Sequence, residues 1–566
     1  MFQFFIKANR SDAERFSALL GRHARWLGMQ LTAERATLPD GSQLDRYRLA
    51  VEGAAASATA AGAIRFEADV TTGEIRVELP AVTPEQAYYA TVGDTFVVGD
   101  DLRPLWIWAG ARWDAVGSAS QMQFGMVPAP RTVAAAVQRI PAGYQLRHRD
   151  VGRGAEISLA ATPPQGWMTT VADDEVERLT LDRFDANLES LPERPVVFFS
   201  GGTDSGLIAA RLSKLGRSDT QLVNYAFGED DPESAYAERL ATAMGLGFTR
   251  ILHRKRSLLE LVDRVGRDAA FPYSDLSSIP THQMIHDAER QLPAGGAALL
   301  GVGADDVYDG GLKIHSWERV ARKPRWARRL MVGLLGISRP WWRDDSARRL
   351  WGILRRSLSY EQDYAGAIMH NDLADIAYPM GEAQAEIARC WERSYSPFVG
   401  SLSSADRLAW VYLVNGGMGW EAPKFEPLRN LGVRAHYPFL DGAMLAHGFS
   451  LSWKQKCGDT KEKILLKRLL AESLPGGVQE PRAKVGFSPP FAQLLADREV
   501  QARMRPLLLD HDAPVADGYR RRFFQEALDR GARGERPNRG LINVIWSAFF
   551  WAAWAKQVRE ALTEAP

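Results

Sequence analysis

At 566 residues the chain exceeds what one hydrophobic core organises, so two or more domains are expected, and its 46% hydrophobic content is that of an ordinary globular protein. A formal net charge of +1 gives no field that would steer the whole surface onto nucleic acid or membrane, so no nucleic-acid partner is expected. Two cysteines, Cys390 and Cys457, exclude a disulfide framework and a cysteine-rich metal site and fit a reducing cytoplasm.

The first stretch, MFQFFIKANR, turns polar too soon for a signal peptide, and no apolar run reaches the roughly 18 residues of a membrane span. A cytoplasmic location without a membrane span is expected. Residues 1–160 read as β-rich with a few helices. Ile64 and Phe66 alternate before the turn Thr71-Thr72-Gly73, and Ile75, Val77 and Leu79 alternate after it, as in a hairpin. Residues 88–91 and 96–98, joined by Val92-Gly93-Asp94, predict a second hairpin. Residues 162–166, TPPQG, are a linker by composition, and Asp173 or Asp174 is placed to cap a helix carrying Val176, Leu179, Phe184, Leu188 and Leu191.

Residues 195–212, PVVFFSGGTDSGLIAARL, read as strand, tight loop and helix. Such a junction aims backbone N–H groups and a helix N-terminus at one spot, and Gly201 and Gly202 lack the Cβ atoms that would hold a phosphate away. Ser200, Thr203 and Ser205 add hydroxyls, and Asp204 is a hard oxygen ligand for magnesium. The spacing is not that of the Walker loop. SGGTDS resembles the pyrophosphate loop of the ATP pyrophosphatases, which cleave ATP between its α and β phosphates. The plain alternative is a Gly-Ser turn between a buried strand and a helix.

Residues 222–227 form another short apolar strand, and helices and strands alternate to about residue 305, which argues a parallel sheet with ligand beyond the carboxyl ends of its strands. Residues 297–311, AALLGVGADDVYDGG, add a strand and a second glycine-rich turn bearing acids. This stretch resembles the second phosphate and metal motif of the asparagine synthetase family, which places Gly303 at the nucleotide and Asp305 on the metal. Val302 departs from that pattern, because the asparagine synthetases have glutamate there and the β-lactam synthetases tyrosine.

Residues 316–357 are basic and Trp-rich, which suits a solvated amphipathic face or a surface for a peptide or an acidic partner. Residues 437–441, 461–466 and 484–487 follow the asparagine synthetase order, and Lys484 matches that family's catalytic lysine. Residues 541–555, broken by Asn543 and Ser547, predict a buried C-terminal helix.

Residues 101–105 and 140–144 resemble turns in the glutaminase domain of asparagine synthetase. Glutaminase chemistry there needs a cysteine directly after the initiator methionine, and Phe2 occupies that position. The resemblance therefore implies an α/β protein with a β-rich α+β, degenerate Ntn-hydrolase (glutaminase-like) domain that is inactive over residues 1–160. A linker and connecting helix over 161–194 and an ATP-pyrophosphatase (adenine nucleotide α-hydrolase-like) parallel-sheet synthetase domain with helical additions over 195–566 follow.

The missing cysteine, Val302 and the Trp-Glu-Ala-Pro stretch at 420–423 most resemble the lasso-peptide cyclases. What that implies is an AMP-forming carbon–nitrogen ligase using ATP and Mg2+, which adenylates an Asp or Glu side chain of a leader-processed precursor peptide and closes a macrolactam with its N-terminal amine. A leader peptidase and a leader-binding protein are the expected partners. Glu421 is the candidate to take the amine proton, with Glu426 as the alternative. The competing readings are a small-molecule amide or β-lactam synthetase and a non-catalytic binding scaffold.

Overall fold

A computed structural model of the chain describes residues 1–51, 64–149, 156–159, 169–308, 323–337, 412–457, 463–475, 491–510, 518–537 and 539–563, with isolated positions between 320 and 410. The N-terminal part comprises β1 (Phe2–Ala8), α1 (Arg10–Leu27), β2 (Gln30–Thr37), β3 (Gln43–Ala50), β4 (Arg65–Asp69), β5 (Glu74–Glu78), β6 (Tyr88–Val92), β7 (Thr95–Gly99), α2 (Leu102–Trp108), α3 (Ala115–Phe124), β8 (Val137–Arg139), β9 (Tyr144–His148) and β10 (Glu156–Leu159). These strands form a six-stranded antiparallel sheet, ordered β2-β3-β1-β7-β6-β8, and a four-stranded one, ordered β10-β9-β5-β4. Both predicted hairpins are present, as β4–β5 and β6–β7.

The period of two along β1 divides the layers. Phe2, Phe4, Ile6 and Ala8 pack with Phe16, Leu20 and Trp106 of the helical layer, whereas Phe5 points the other way, onto Phe66, Ile75 and Val77 of the second sheet. The Phe5 and Phe66 rings lie parallel, with centroids 6.0 Å apart. Asn9 caps α1 by accepting from the Asp12 amide, and Gly28 ends it in the left-handed conformation.

The second part contains α4 (Val176–Glu189), β11 (Val196–Phe198), α5 (Thr203–Lys214), β12 (Gln221–Ala226), α6 (Pro232–Met244), β13 (Gly247–Leu252), α7 (Ser257–Asp268), α8 (Ser278–Asp287), β14 (Ala297–Leu299), α9 (Ala304–Tyr308) and β15 (Arg434–His436). Neither Asp173 nor Asp174 caps α4; Glu175 stands at its N-terminus without a capping bond, and Asp173 accepts instead from the Gln455 side chain. All five strands run parallel in the order β13-β12-β11-β14-β15. The chain steps from β11 outward to β13, then returns to the other side of β11 for β14. That reversal opens a crevice at the carboxyl ends of β11 and β14, where sheets of this kind bind ligands.

The predicted apolar C-terminal helix is Arg539–Leu562 and is buried against α7 and the N-terminal helices. Trp554 stacks on Trp106 with centroids 5.3 Å apart, and its indole N–H donates to the Ala269 carbonyl at 2.8 Å. Among the described residues no helix is long and apolar enough to cross a membrane.

Candidate active site

The β11 strand ends into a loop whose geometry follows from its small residues. Gly201 has φ of +74°, and a Cβ there would lie 3.2 Å from the Ala237 Cβ on α6. Glycine is therefore required by the turn and by the helix packed behind it, in addition to any ligand in front. Gly202 forms the N-cap of α5, with Thr203 and Asp204 in its first turn, so the helix N-terminus opens into the crevice. The Ser205 hydroxyl accepts from the Ser200 amide at 3.2 Å and lies 3.2 Å from the Ser200 hydroxyl, which in turn accepts from the Gly202 amide at 3.3 Å. These serines brace the loop from inside.

The loop after β14 comes up beside it: a Cβ on Gly301 would lie 3.0 Å from the Asp204 Cβ. Gly303, at φ of +93°, packs so tightly on Leu440 that a Cβ would fall 2.2 Å from its Cδ2. Asp305 and Asp306 belong to the short helix α9, a correction to the expected acidic turn. Asp306 is buried, while Asp305 reaches the crevice.

Sequence reasoning did not single out Lys463, which joins the two loops. Its ammonium lies 2.8 and 2.7 Å from the two Asp204 carboxylate oxygens and also pairs with Asp305. Burial opposes its charge, yet the two carboxylates win and hold the ammonium well above the usual lysine range. Two carboxylates already gathered on one cation, beside a helix N-terminus, suit a magnesium ion whose remaining ligands are phosphate oxygens and water. Among the described residues no three His, Cys, Asp or Glu side chains converge on one point.

A second charged group lies nearby. The Lys424 ammonium is 3.3 Å from Asp275 and 3.1 Å from the Ser277 hydroxyl. Burial works against its charge, but Asp275, Glu421 and Asp305 raise its pKa. Tyr412 is pushed well up, first by burial and then by Glu421, Asp306 and Asp305. Glu421 thus shares an electrostatic neighbourhood with the Asp305 carboxylate.

Glu426 belongs elsewhere. It accepts from the Ala270 amide at 2.6 Å and lines a cavity of about 260 Å³ between the N-terminal sheet and residues 422–437, with Tyr88, Asp100, Phe271, Arg429 and Tyr437. Burial raises it to about 7 against that hydrogen bond and the charge of Arg429. Its neighbours distinguish it from Glu421 as a base for the crevice. Lys484, with residues 461 and 462 of the same resemblance and the linker at 162–166, lies outside the described residues.

A comparison with curated proteins finds no match. Residues 193–555, more than half of the chain, match the asparagine synthase family, and the matched region spans the whole crevice at β11 and β14 together with Lys463. The chain therefore belongs to the asparagine synthase family, the ATP-dependent amide-forming synthetases.

Proposed function

We propose that this synthetase is an AMP-forming macrolactam cyclase of the lasso-peptide type, joining an Asp or Glu side chain of a leader-processed peptide to that peptide's own N-terminal amine. The observation that carries the catalytic reading is the meeting of Asp204 and Asp305 on one cation at the switch point of the parallel sheet. Two departures support an internal amine. Phe2, where glutamine hydrolysis would require a thiol, is buried beneath Arg429, whose guanidinium carbon lies 3.7 Å from the ring centroid. Val302 is buried in the sheet's core cluster and offers no polar atom to free ammonia.

Asp204 and Asp305 would hold the magnesium ion, which when bound neutralises phosphate charge and favours departure of pyrophosphate. Backbone amides in the first turn of α5, from Thr203 to Ser205, orient the phosphates for attack by the peptide carboxylate on the α-phosphorus. Lys463 contributes a permanent positive charge on the phosphate side. Glu421 accepts the proton of the incoming amine, and Lys484 stabilises the oxyanion formed as that amine attacks.

Two measurements test this. Asp204→Asn and Asp305→Asn should each lower ATP–pyrophosphate exchange by about a hundredfold or more while leaving the fold intact. With a leader-free peptide, acetylating the N-terminus should preserve ATP–pyrophosphate exchange but abolish both AMP release and the product one water lighter, because no amine is left to displace AMP from the acyl adenylate. Wild-type exchange in both variants would remove the catalytic assignment. Turnover supported only by free ammonia or a small amine would replace the cyclase by a small-molecule amide synthetase.

A further inference from the structure

We propose that the helix Arg325–Ile337 is an interfacial anchor that lies on an anionic lipid surface. Residues 323–337, KPRWARRLMVGLLGI, hold four cations and no acid in a chain whose net charge is only +1. Trp326, Leu330 and Leu334 follow one another at intervals of four, so they form a row along one face of the helix. They are 71, 58 and 60% exposed, and among the described residues they account for three of the seven exposed large apolar side chains. Lys323, Arg325 and Arg329 are exposed beside the row, whereas Arg328 is buried and marks the face turned to the protein.

Isolated exposed apolar residues need no explanation, but a row of three on one helix does. A row along one exposed helix face is convex, and the cavity described above is lined by other residues, so the described residues favour a surface over a peptide groove as the partner. A bilayer interface meets each part: indole sits at headgroup level, leucines sink toward the acyl chains, and the cations face lipid phosphates. The row covers about 12 Å, which is too small for permanent insertion and implies reversible, salt-sensitive binding.

The test is flotation of the full-length protein with vesicles of phosphatidylcholine alone and with about one third phosphatidylglycerol, at low and high salt. Binding should be about tenfold or more stronger on the anionic vesicles and should weaken with salt. Trp326→Ser/Leu330→Ser/Leu334→Ser and Arg325→Gln/Arg329→Gln should each lose flotation while keeping wild-type ATP–pyrophosphate exchange. Four results would overturn the proposal: no flotation of wild type, equal binding to both vesicles, unchanged flotation of folded variants, or self-association or polyglutamate binding through this face without vesicle binding. The last would assign it to a protein partner.

Discussion

Replacing Lys463 by methionine isolates the electrostatics of the crevice, because the side-chain volume is nearly kept while the charge is lost. In the wild-type chain the ammonium compensates both Asp204 and Asp305. Its removal leaves two carboxylates facing each other. Truncating one partner of a buried ion pair costs about 3–5 kcal/mol, but Asp305 is 63% exposed and water screens its share, so a loss of about 2–3 kcal/mol is expected. Magnesium brings two positive charges to the same oxygens. With magnesium and ATP the deficit should therefore shrink to under about 1 kcal/mol, and magnesium should stabilise the variant more than the wild type, in which ammonium and metal compete. Urea unfolding of both proteins, with and without magnesium and ATP, measures all four stabilities. An equal loss in every condition would make Lys463 a packing residue and refute the shared cation site.

Glu426→Gln tests the cavity carboxyl. Because its folded pKa is raised, from 4.5 to about 7, the wild type is favoured at low pH and loses that contribution as pH climbs through this window, by at most about 3 kcal/mol. The variant should be flatter with pH and the more stable protein above about pH 7; parallel unfolding curves would contradict this. Gly303→Ala forces both a left-handed backbone and a contact with Leu440, so it should cost about 2–4 kcal/mol and weaken ATP–pyrophosphate exchange by displacing Asp305. Arg429→Met orphans the buried Asp100 and should lower stability by about 2–4 kcal/mol, less at acidic pH where that carboxyl takes up a proton; pH-independent loss would argue against the pair.

Much of this fold is legible in local sequence because local sequence determines it. The period of two in residues 64–79, the punctuation at Gly73 and Gly93, and the apolar run before Ser200 each dictate an element from within a few residues. The strand–loop–helix junction at 196–214 is equally visible, since its glycines and hydroxyls are contiguous. Lys463 is not, because its meaning comes from Asp204, 259 residues away. Only the parallel sheet brings these positions together. The α4 cap failed for a related reason: the Gln455 side chain donates to Asp173, and no reading of residues 173–176 alone could anticipate that competition. Glu421 and Glu426 likewise look equivalent in the chain, yet one shares its field with Asp305 and the other faces the N-terminal sheet.

That separation within five residues gives the N-terminal part a mechanical meaning. The segment from Leu413 to Tyr437 carries Glu421 and Lys424 on the crevice side and Arg429 on the opposite side, where Arg429 donates to the Met1 carbonyl and pairs with Asp100. Phe2 presents the face of its ring to the same guanidinium. A thiol at that position would offer neither the apolar area nor the quadrupole, whereas phenylalanine gives Arg429 a cation–π partner to add to its carboxylate. Phe2 therefore firms the grip on the segment that positions the proposed base. Because α7 and the C-terminal helix complete the N-terminal core through Trp106, Trp551 and Trp554, removing residues 1–160 would uncover that core as well as release the segment. The N-terminal part acts on this account as a strut for the synthetase site.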